Sequence, residues 1–169
     1  MAQAISMEMG APNDMARDSQ APCLPWHLKN FLTAFEEIEW VRQLGPHAPN
    51  DRIALDPIGV VGLITPWNWP VNQVAVKVAP ALAAGCTVVC KPANETPLSA
   101  LAMAELAERA GVPAGVINIV AGKTAEIGAE LTSNPIVRKL TFTGSTEVGK
   151  LLVEQCAATM KRTSMALAS

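Results

Sequence analysis

The sequence has few of the residues that build metal centres or disulfide frameworks. It holds two histidines and four cysteines in 169 residues. Both histidines lie far along the chain from Cys86 and Cys90, the one closely spaced cysteine pair. A metal site needs more ligands close together, and a leaderless chain of this size does not suggest a disulfide framework. We therefore expect buried free thiols and no metal site.

The sequence also has no strong charge imbalance, no long uninterrupted apolar run and no signal peptide. The formal net charge of −2 gives no electrostatic argument for nucleic acid or an anionic membrane as a partner. Lys77 and Pro80 interrupt the longest apolar region, residues 74–90, so a transmembrane span is not expected. Because residues 1–10 lack a basic stretch, we expect a cytoplasmic protein.

A regular alternation of short β-rich runs and helical stretches begins at Pro57. With 50% hydrophobic and 17% charged residues, the chain can form a domain with a sizeable core. The pattern predicts strands at residues 60–65, 87–90, 116–120 and 139–142, and helices at residues 71–82, 97–110, 125–131 and 145–157. Thr96 is the predicted N-cap of the second helix, and its predicted apolar stripe is Leu98, Ala102, Leu106 and Ala110. Such alternation is typical of an open parallel α/β sheet with helices on both faces.

Residues 1–56 are less regular and are interpreted as a helical N-terminal arm and linker. Residues 1–9 predict the end of a helix that Gly10 stops. Apolar residues at helical spacing predict a second helix over residues 26–44. The residues of that stripe are Phe31, Phe35, Ile38 and Val41. Prolines in residues 45–56 favour a linker or an edge segment.

The functional interpretation rests on the stretch Thr65-Pro66-Trp67-Asn68-Trp69-Pro70. Its prolines restrict the backbone on either side of Asn68, and it follows the apolar run 60–64. Asn68 is therefore expected on a stiff loop at the carboxyl end of a strand, where open α/β sheets bind ligands. Its amide could donate a hydrogen bond to an oxyanion developing on a carbonyl oxygen. The alternative is an asparagine that serves the turn itself, the commoner case for an isolated loop asparagine.

Two further strand ends carry groups that suit a nucleotide. Lys91 follows the second predicted strand and could bond a ribose hydroxyl or neutralise a phosphate. The alternative is a solvated lysine. Residues 142–149 end the fourth strand and begin a helix, where free N–H groups and the Ser145 hydroxyl could bind an anion. The alternative there is an ordinary serine-capped helix, and the G-x-G-x-x-G fingerprint is absent.

Together, residues 64–70, 91–97 and 142–149 resemble the strand-end motifs of NAD(P)-dependent aldehyde dehydrogenases, in the same order along the chain. The resemblance covers nearly the whole chain. Within the family, residues 130–140 and 154–157 are most similar to the succinate-semialdehyde dehydrogenase branch. The resemblance implies a Rossmann-like sheet and oxidation of an aldehyde to a carboxylic acid with NAD or NADP. It also implies a homo-oligomer in the full-length form.

The resemblance assigns roles to individual residues. Asn68 would hold the oxyanion of the reaction intermediate. The positions that would contact the cofactor are Thr65, Pro66, Trp67, Asn68, Lys91, Pro92, Ala93, Asn94, Gly122, Gly128, Phe142, Gly144, Ser145 and Val148. Asn94 stands where a glutamate of the family favours NAD by binding the ribose 2′-hydroxyl. Because Asn94 is neutral and Glu95 lies one residue further along, the choice between NAD and NADP stays open.

The sequence departs from the family's pattern at positions that matter for activity. Family members extend further at both ends, and their general-base glutamate corresponds to Ala166, which can take no proton. Their nucleophilic cysteine lies beyond residue 169, and none of the four cysteines aligns with it. We therefore expect a truncated chain with an incomplete NAD(P)-binding domain in residues 57–169, inactive alone and self-associating through an exposed sheet edge. The alternatives are a non-catalytic partner of full-length subunits and a gene remnant.

Overall fold

The protein has a helical arm with a β-hairpin, followed by a five-stranded sheet with helices on both faces, and the computed structural model describes residues 1–168. The elements of the arm are α1 (Ala2–Met9), α2 (Asn13–Met15), a π-helical turn (Ala16–Gln20), α3 (Cys23–Glu37), β1 (Val41–Gly45) and β2 (Ala48–Ala54). The elements of the α/β part are β3 (Val60–Ile64), α4 (Pro70–Ala83), β4 (Thr87–Lys91), α5 (Leu98–Arg109), β5 (Ile117–Ile119), α6 (Thr124–Ser133), β6 (Val137–Ser145), α7 (Thr146–Ala157) and β7 (Arg162–Ala168). None of the helices described is long and apolar enough to cross a membrane.

The strand order creates a crevice at the carboxyl ends of β3 and its neighbours. The sheet has the order β5-β4-β3-β6-β7, and all neighbouring strands are parallel. The chain runs outward from β3 through β4 to β5 and then returns to the other side of β3 as β6. In register, Ile64 pairs with Lys91 on one side and with Phe142 on the other. Such a reversal of direction is the place where open α/β sheets bind ligands.

Successive residues of the strands bury their side chains on opposite faces of the sheet. Leu63 belongs to a cluster that includes Val74 of α4 and Met103 of α5. Ile64 belongs to a second cluster, which includes Leu152 of α7. Full burial of one such side chain contributes roughly 1.5–3 kcal/mol of transfer free energy. The predicted parallel sheet with helices on both faces is confirmed.

The arm differs from its prediction beyond α3. The helix predicted over residues 26–44 spans Cys23–Glu37, and Val41 lies in β1. This strand pairs antiparallel with β2. Strand β2 lies within residues 45–56, which were predicted as a linker or an edge segment. The β-branched Ile38 and Val41 favour extended backbone, and pairing with residues 48–54 satisfies the backbone groups of β1. The helical spacing of the apolar residues is therefore misleading beyond the end of α3.

Helix α5 buries a different face from the predicted one. Its buried residues are Ser99, Ala100 and Met103. Two members of the predicted apolar stripe, Leu98 and Leu106, are instead 44% and 45% exposed. The helix is turned so that Ser99 meets Glu8 of the arm, while Ala100 and Met103 pack into the core cluster.

The predicted N-cap of α5 is also wrong. Pro97 occupies the N-cap position, while the buried Thr96 hydroxyl has no hydrogen-bond partner within residues 1–168. Glu8 of α1 takes the role instead, because its carboxylate accepts hydrogen bonds from the N–H groups of Leu98 and Ser99. Local sequence could not show this cap, since Glu8 lies 90 positions from Leu98.

Candidate functional site

Three segments meet at the carboxyl edge of the sheet. The N–H of Thr65 donates to the carbonyl of Lys91 over 3.2 Å, which joins the loop after β3 to the loop after β4. Ser145 ends β6, the strand on the other side of β3. The structure thus places the Asn68 loop (residues 65–69), the Lys91 loop (residues 91–97) and the Ser145 segment (residues 142–149) at one edge of the sheet.

The loop that carries Asn68 is held in a strained conformation. Trp69 has φ +136° and ψ +62°, a region that L residues rarely adopt, at a cost of roughly 1–3 kcal/mol. Its N–H donates to the carbonyl of Trp67 over 3.2 Å, and its carbonyl accepts from the N–H of Gln73 over 2.9 Å. Pro70 then begins α4. The backbone is therefore fixed on both sides of Asn68.

The Asn68 side chain is free to donate to a ligand. It is exposed, and none of the side-chain hydrogen bonds within residues 1–168 involves it. An asparagine that serves a turn bonds nearby backbone groups. The absence of such a bond here weakens the turn alternative and leaves both amide N–H groups available.

Lys91 is buried, not solvated as the alternative interpretation of the sequence would have it. Only 2% of its surface is exposed, and its Nζ donates to the carbonyl of Pro92 over 3.0 Å and to Asn94 Oδ1 over 2.7 Å. Burial lowers the pKa of Lys91, against an opposing effect of Glu95 and Cys90. A lysine ammonium has three N–H donors, so one remains for a ligand.

A cavity of about 420 Å³ lies beside the Lys91 loop. Its lining includes Pro92, Ala93, Asn94, Pro97, Gly122 and Lys123. The volume falls in the usual range of small-molecule sites, roughly 300–1,000 Å³. None of the lining residues is acidic. The cation Lys123 pairs with Glu126 over 2.9 Å, and both side chains are largely exposed, so this pair holds Lys123 only weakly.

The segment at the end of β6 combines a serine cap with a crowded glycine. The Ser145 hydroxyl accepts from the N–H of Val148 over 3.4 Å and caps α7, so the serine-capped helix of the alternative interpretation is present. A Cβ on Gly144 would lie 2.4 Å from Cζ of Phe142. Glycine is therefore required here by close packing, at the position where the backbone approaches the crevice.

The remaining predicted cofactor residues occupy varied positions. Phe142 is buried in the core cluster that includes Leu152, so only its main chain can face the crevice. Val148 lies in the first turn of α7 and is 42% exposed. Gly128 lies inside α6, away from the strand ends, and nothing stands within 4 Å of a Cβ added to it.

Lys77 is a residue near the site that the sequence analysis treated only as an interruption of an apolar run. From α4, its Nζ donates to Thr141 Oγ1 of β6 over 3.3 Å. Burial lowers the pKa of Lys77, and the nearby Cys90 opposes this effect. Lys77 and Thr141 line a cavity of about 320 Å³ together with Lys139. The available signal was that Lys77 is the single charged residue of α4.

Three of the four cysteines lie in the protein interior, away from any substrate. All four are free, and Cys86, Cys90 and Cys156 are buried. Burial raises the pKa of the Cys90 thiol to about 12, despite the opposing charges of Lys77 and Lys91, so this thiol is protonated near neutral pH. Within residues 1–168, no group of three or more histidine, cysteine, aspartate or glutamate side chains could hold a metal ion.

Comparison with known proteins identifies the family. The sequence model of the aldehyde dehydrogenase family matches residues 1–169. The chain belongs to the aldehyde dehydrogenase family. This confirms the resemblance based on the three strand-end motifs.

Curated relatives of the family match almost the entire chain. It is 50% identical to a glutarate-semialdehyde dehydrogenase of Pseudomonas aeruginosa and 47% identical to the NADP(+) succinate-semialdehyde dehydrogenase GabD of Escherichia coli. Each match covers 99% of this chain and 35% of the relative. These relatives agree with the predicted branch. The chain therefore spans about a third of the length of the curated relatives it matches.

Solved structures of family members share the fold. An aldehyde dehydrogenase from Bartonella henselae superposes with a TM-score of 0.94 at 45% identity, over 99% of this chain and 35% of that chain. A Pseudomonas syringae aldehyde dehydrogenase solved with NAD+ and octanal gives a TM-score of 0.93 at 42% identity, over 99% and 34%. The aldehyde dehydrogenase fold predicted from the sequence is confirmed, and the family's relatives include both NAD+-bound and NADP(+)-dependent proteins.

Proposed function

We propose that this chain supplies the NAD(P)-binding part of an enzyme that oxidises an aldehyde to a carboxylic acid. The observation that carries the proposal is the register of the sheet, in which Ile64 stands between Lys91 and Phe142. This register brings the three loops that resemble the family's motifs to one crevice. Succinate- and glutarate-semialdehyde dehydrogenases match 99% of the chain, and we propose a semialdehyde as the substrate class.

The residues at the crevice fit a dinucleotide. The free N–H of buried Lys91 can donate to a ribose hydroxyl, and the neighbouring cavity of about 420 Å³ can receive the adenosine. At the other side, the start of α7 offers its N-terminal partial charge and the Ser145 hydroxyl to the pyrophosphate. When bound, the nicotinamide ring would accept the hydride of the aldehyde. Orientation of the cofactor would be the contribution of Lys91, Asn94 and Ser145.

Asn68 would stabilise charge on the substrate. Its exposed amide, with no protein partner within residues 1–168, can donate to the carbonyl oxygen as negative charge develops there. The strained backbone of Trp69 and the adjacent Pro70 fix the main chain that carries the amide, so that only the side chain needs to orient when substrate arrives. Removal of one such donor typically lowers kcat by about 100- to 1,000-fold.

The other chemical roles are not filled by the described residues. The buried Cys90 and Cys156 thiols have raised pKa values, caused mainly by burial, and are poor nucleophiles. Ala166 in β7 has no group that could activate water. We therefore propose that the 169-residue chain binds NAD(P) weakly and does not oxidise aldehydes by itself.

We also propose that copies of the chain associate. Within the described residues β7 pairs with β6 alone and leaves its other edge unpaired. On α7, Leu151 and Val153 are 51% and 43% exposed. An unpaired edge and exposed apolar side chains favour self-association. Sedimentation velocity is expected to show species larger than the monomer, and a clean monomer at all concentrations would contradict this.

Calorimetry with NAD+ and NADP+ tests the proposed function, together with the absorbance of reduced cofactor in the presence of succinate or glutarate semialdehyde. We expect weak binding and no turnover. Ser145→Glu should abolish binding because a carboxylate repels the pyrophosphate, whereas Ser133→Glu, at an exposed position in α6, should bind like the wild type. Absence of binding at millimolar cofactor would overturn the proposal. Turnover would refute the account of the cysteines and Ala166.

A further inference from the structure

Glu8 of α1 reaches across to the start of α5. Its carboxylate accepts from the N–H of Leu98 over 2.5 Å and from the N–H of Ser99 over 3.1 Å. The Ser99 hydroxyl also donates to the same carboxylate. A single side chain of the arm therefore accepts hydrogen bonds from three donor groups in the first two residues of the helix.

Helix α5 has no cap of its own to replace Glu8. Pro97 at the N-cap position makes no side-chain cap bond, and the buried Thr96 hydroxyl has no partner within residues 1–168. Ser99 is fully buried, so water cannot reach its N–H and hydroxyl without local opening. Loss of the carboxylate would leave these buried donors unpaired, which is unfavourable.

The residues that Glu8 fixes directly follow the Lys91 loop. This loop is held at its beginning by β4, where Lys91 is in register with Ile64. Two hydrogen bonds within the loop restrict it further. The N–H of Thr96 donates to the carbonyl of Ala93, and Lys91 Nζ donates to Asn94 Oδ1. Its end is the start of α5, which the arm holds through Glu8.

We propose that Glu8 is a positioning residue for cofactor binding: by holding the start of α5, it keeps the Lys91 loop in the conformation that receives the ribose. The inference rests on the proposed function. Without Glu8, the loop samples conformations in which the hydrogen bond between Lys91 and Asn94 beside the cavity is broken. The apparent affinity for the cofactor then falls in proportion to the population of the binding-competent state.

Two variants of Glu8 and one control in the same helix test this role. Glu8→Ala removes all three hydrogen bonds, and Glu8→Gln keeps the side-chain length and one oxygen acceptor. Ile5→Val removes a methyl group from the fully buried Ile5 and weakens the packing of α1 without touching Glu8. The measurements are the Kd values for NAD+ and NADP+, at a temperature where all variants are folded, and amide hydrogen exchange.

We expect Glu8→Ala to weaken cofactor binding about tenfold, with Glu8→Gln between it and the wild type. Ile5→Val should lower the melting temperature and leave Kd unchanged. Exchange at the amides of Leu98, Ser99 and residues 93–96 should accelerate in Glu8→Ala. If Glu8→Ala does not fold, the intermediate affinity of Glu8→Gln carries the test.

The inference and the proposed function can fail separately. If the wild type binds cofactor and both Glu8 variants bind equally well, Glu8 has only a structural role and the inference is overturned. If the wild type binds neither cofactor, the proposed function fails. In that case, faster amide exchange in residues 93–96 of Glu8→Ala would still show that Glu8 anchors the loop. Unchanged exchange in those residues would overturn the inference as well.

Discussion

Two helices begin at the same edge of the sheet, and they are capped in different ways. Helix α7 is capped by Ser145, the residue that directly precedes it, because the Ser145 hydroxyl accepts a hydrogen bond from the N–H of Val148. Helix α5 is capped by Glu8 of α1, a carboxylate from a distant part of the chain. The cap of α7 is thus a neutral hydroxyl and the cap of α5 a carboxylate, although α7 also carries Glu147 in its first turn.

This difference separates the two helix starts by chemistry. A carboxylate at the start of α5 neutralises the positive end of the helix dipole and disfavours a second anion there. The hydroxyl cap at the start of α7 adds no charge of its own, and the carboxylate of Glu147 in the first turn is exposed to solvent, so the N–H groups there can still bind a phosphate. The account therefore places the pyrophosphate beside Ser145 and the uncharged ribose beside Lys91.

The largest effect on this arrangement is expected from Gly144→Ala. Its Cβ would lie 2.4 Å from the ring of Phe142, which is only 6% exposed. Such overpacking costs about 1–3 kcal/mol of folding free energy, measurable by urea denaturation. Gly128→Ala is the matched control, because open space surrounds that helical position. It should stabilise the protein by about 0.5–1 kcal/mol.

The α5 side of the crevice already has the carboxylate of Glu8, and Asn94→Glu would add another. We expect the affinity for NADP+ to fall about tenfold relative to NAD+. The new carboxylate would repel the 2′-phosphate of NADP+, a group that NAD+ lacks. The acid can still accept a hydrogen bond from a 2′-hydroxyl. Calorimetric Kd values for both cofactors measure the ratio, with the exposed Asn50→Glu on β2 as control. An unchanged ratio would show that the 2′ group lies elsewhere.

Ser145→Ala removes the local cap of α7. We expect a loss of about 1 kcal/mol of folding free energy, the typical value for a serine cap, because the first turn loses an acceptor for the N–H of Val148. Ser133→Ala in α6 provides the same change at an exposed serine without that role. Equal stability of the two variants in urea denaturation would mean that α7 does not depend on Ser145.

The smallest effect is expected from Thr96→Val, at the residue predicted as the cap of α5. The Thr96 hydroxyl is buried and unpaired within residues 1–168, so a methyl group of the same shape should change stability by less than about 0.5 kcal/mol. Glu8→Ala should cost more than Thr96→Val. A loss above about 1 kcal/mol for Thr96→Val would indicate that the hydroxyl has a partner after all.

Features fixed by neighbouring residues were predictable, and features fixed by distant ones were not. The strands β3 and β4 are continuous apolar runs bounded by turn residues, and their positions follow from local chemistry. The cap of α5 depends on Glu8, and the β1–β2 hairpin depends on pairing between Val41 and Ala54. The burial of Lys77 likewise depends on Thr141, 64 residues away. Such contacts leave no periodic signal in the sequence.

The same distinction applies to the candidate site. The motifs around Asn68, Lys91 and Ser145 are local, so their places at strand ends could be predicted. Their common edge follows from the strand order, which a single sequence does not encode in any short window. The resemblance to aldehyde dehydrogenases implied a Rossmann-like sheet, and the strand order and the register between Ile64, Lys91 and Phe142 now give its geometry.

An amide NMR titration of the 17.8 kDa chain with NAD+ and NADP+ tests the central claim most directly, because it reports where the cofactor binds. The account predicts that chemical shift changes concentrate in residues 65–69, 91–97 and 144–148, on both sides of β3. Changes confined to other surfaces, or none at millimolar cofactor, would contradict the assignment of this sheet edge as the NAD(P) site.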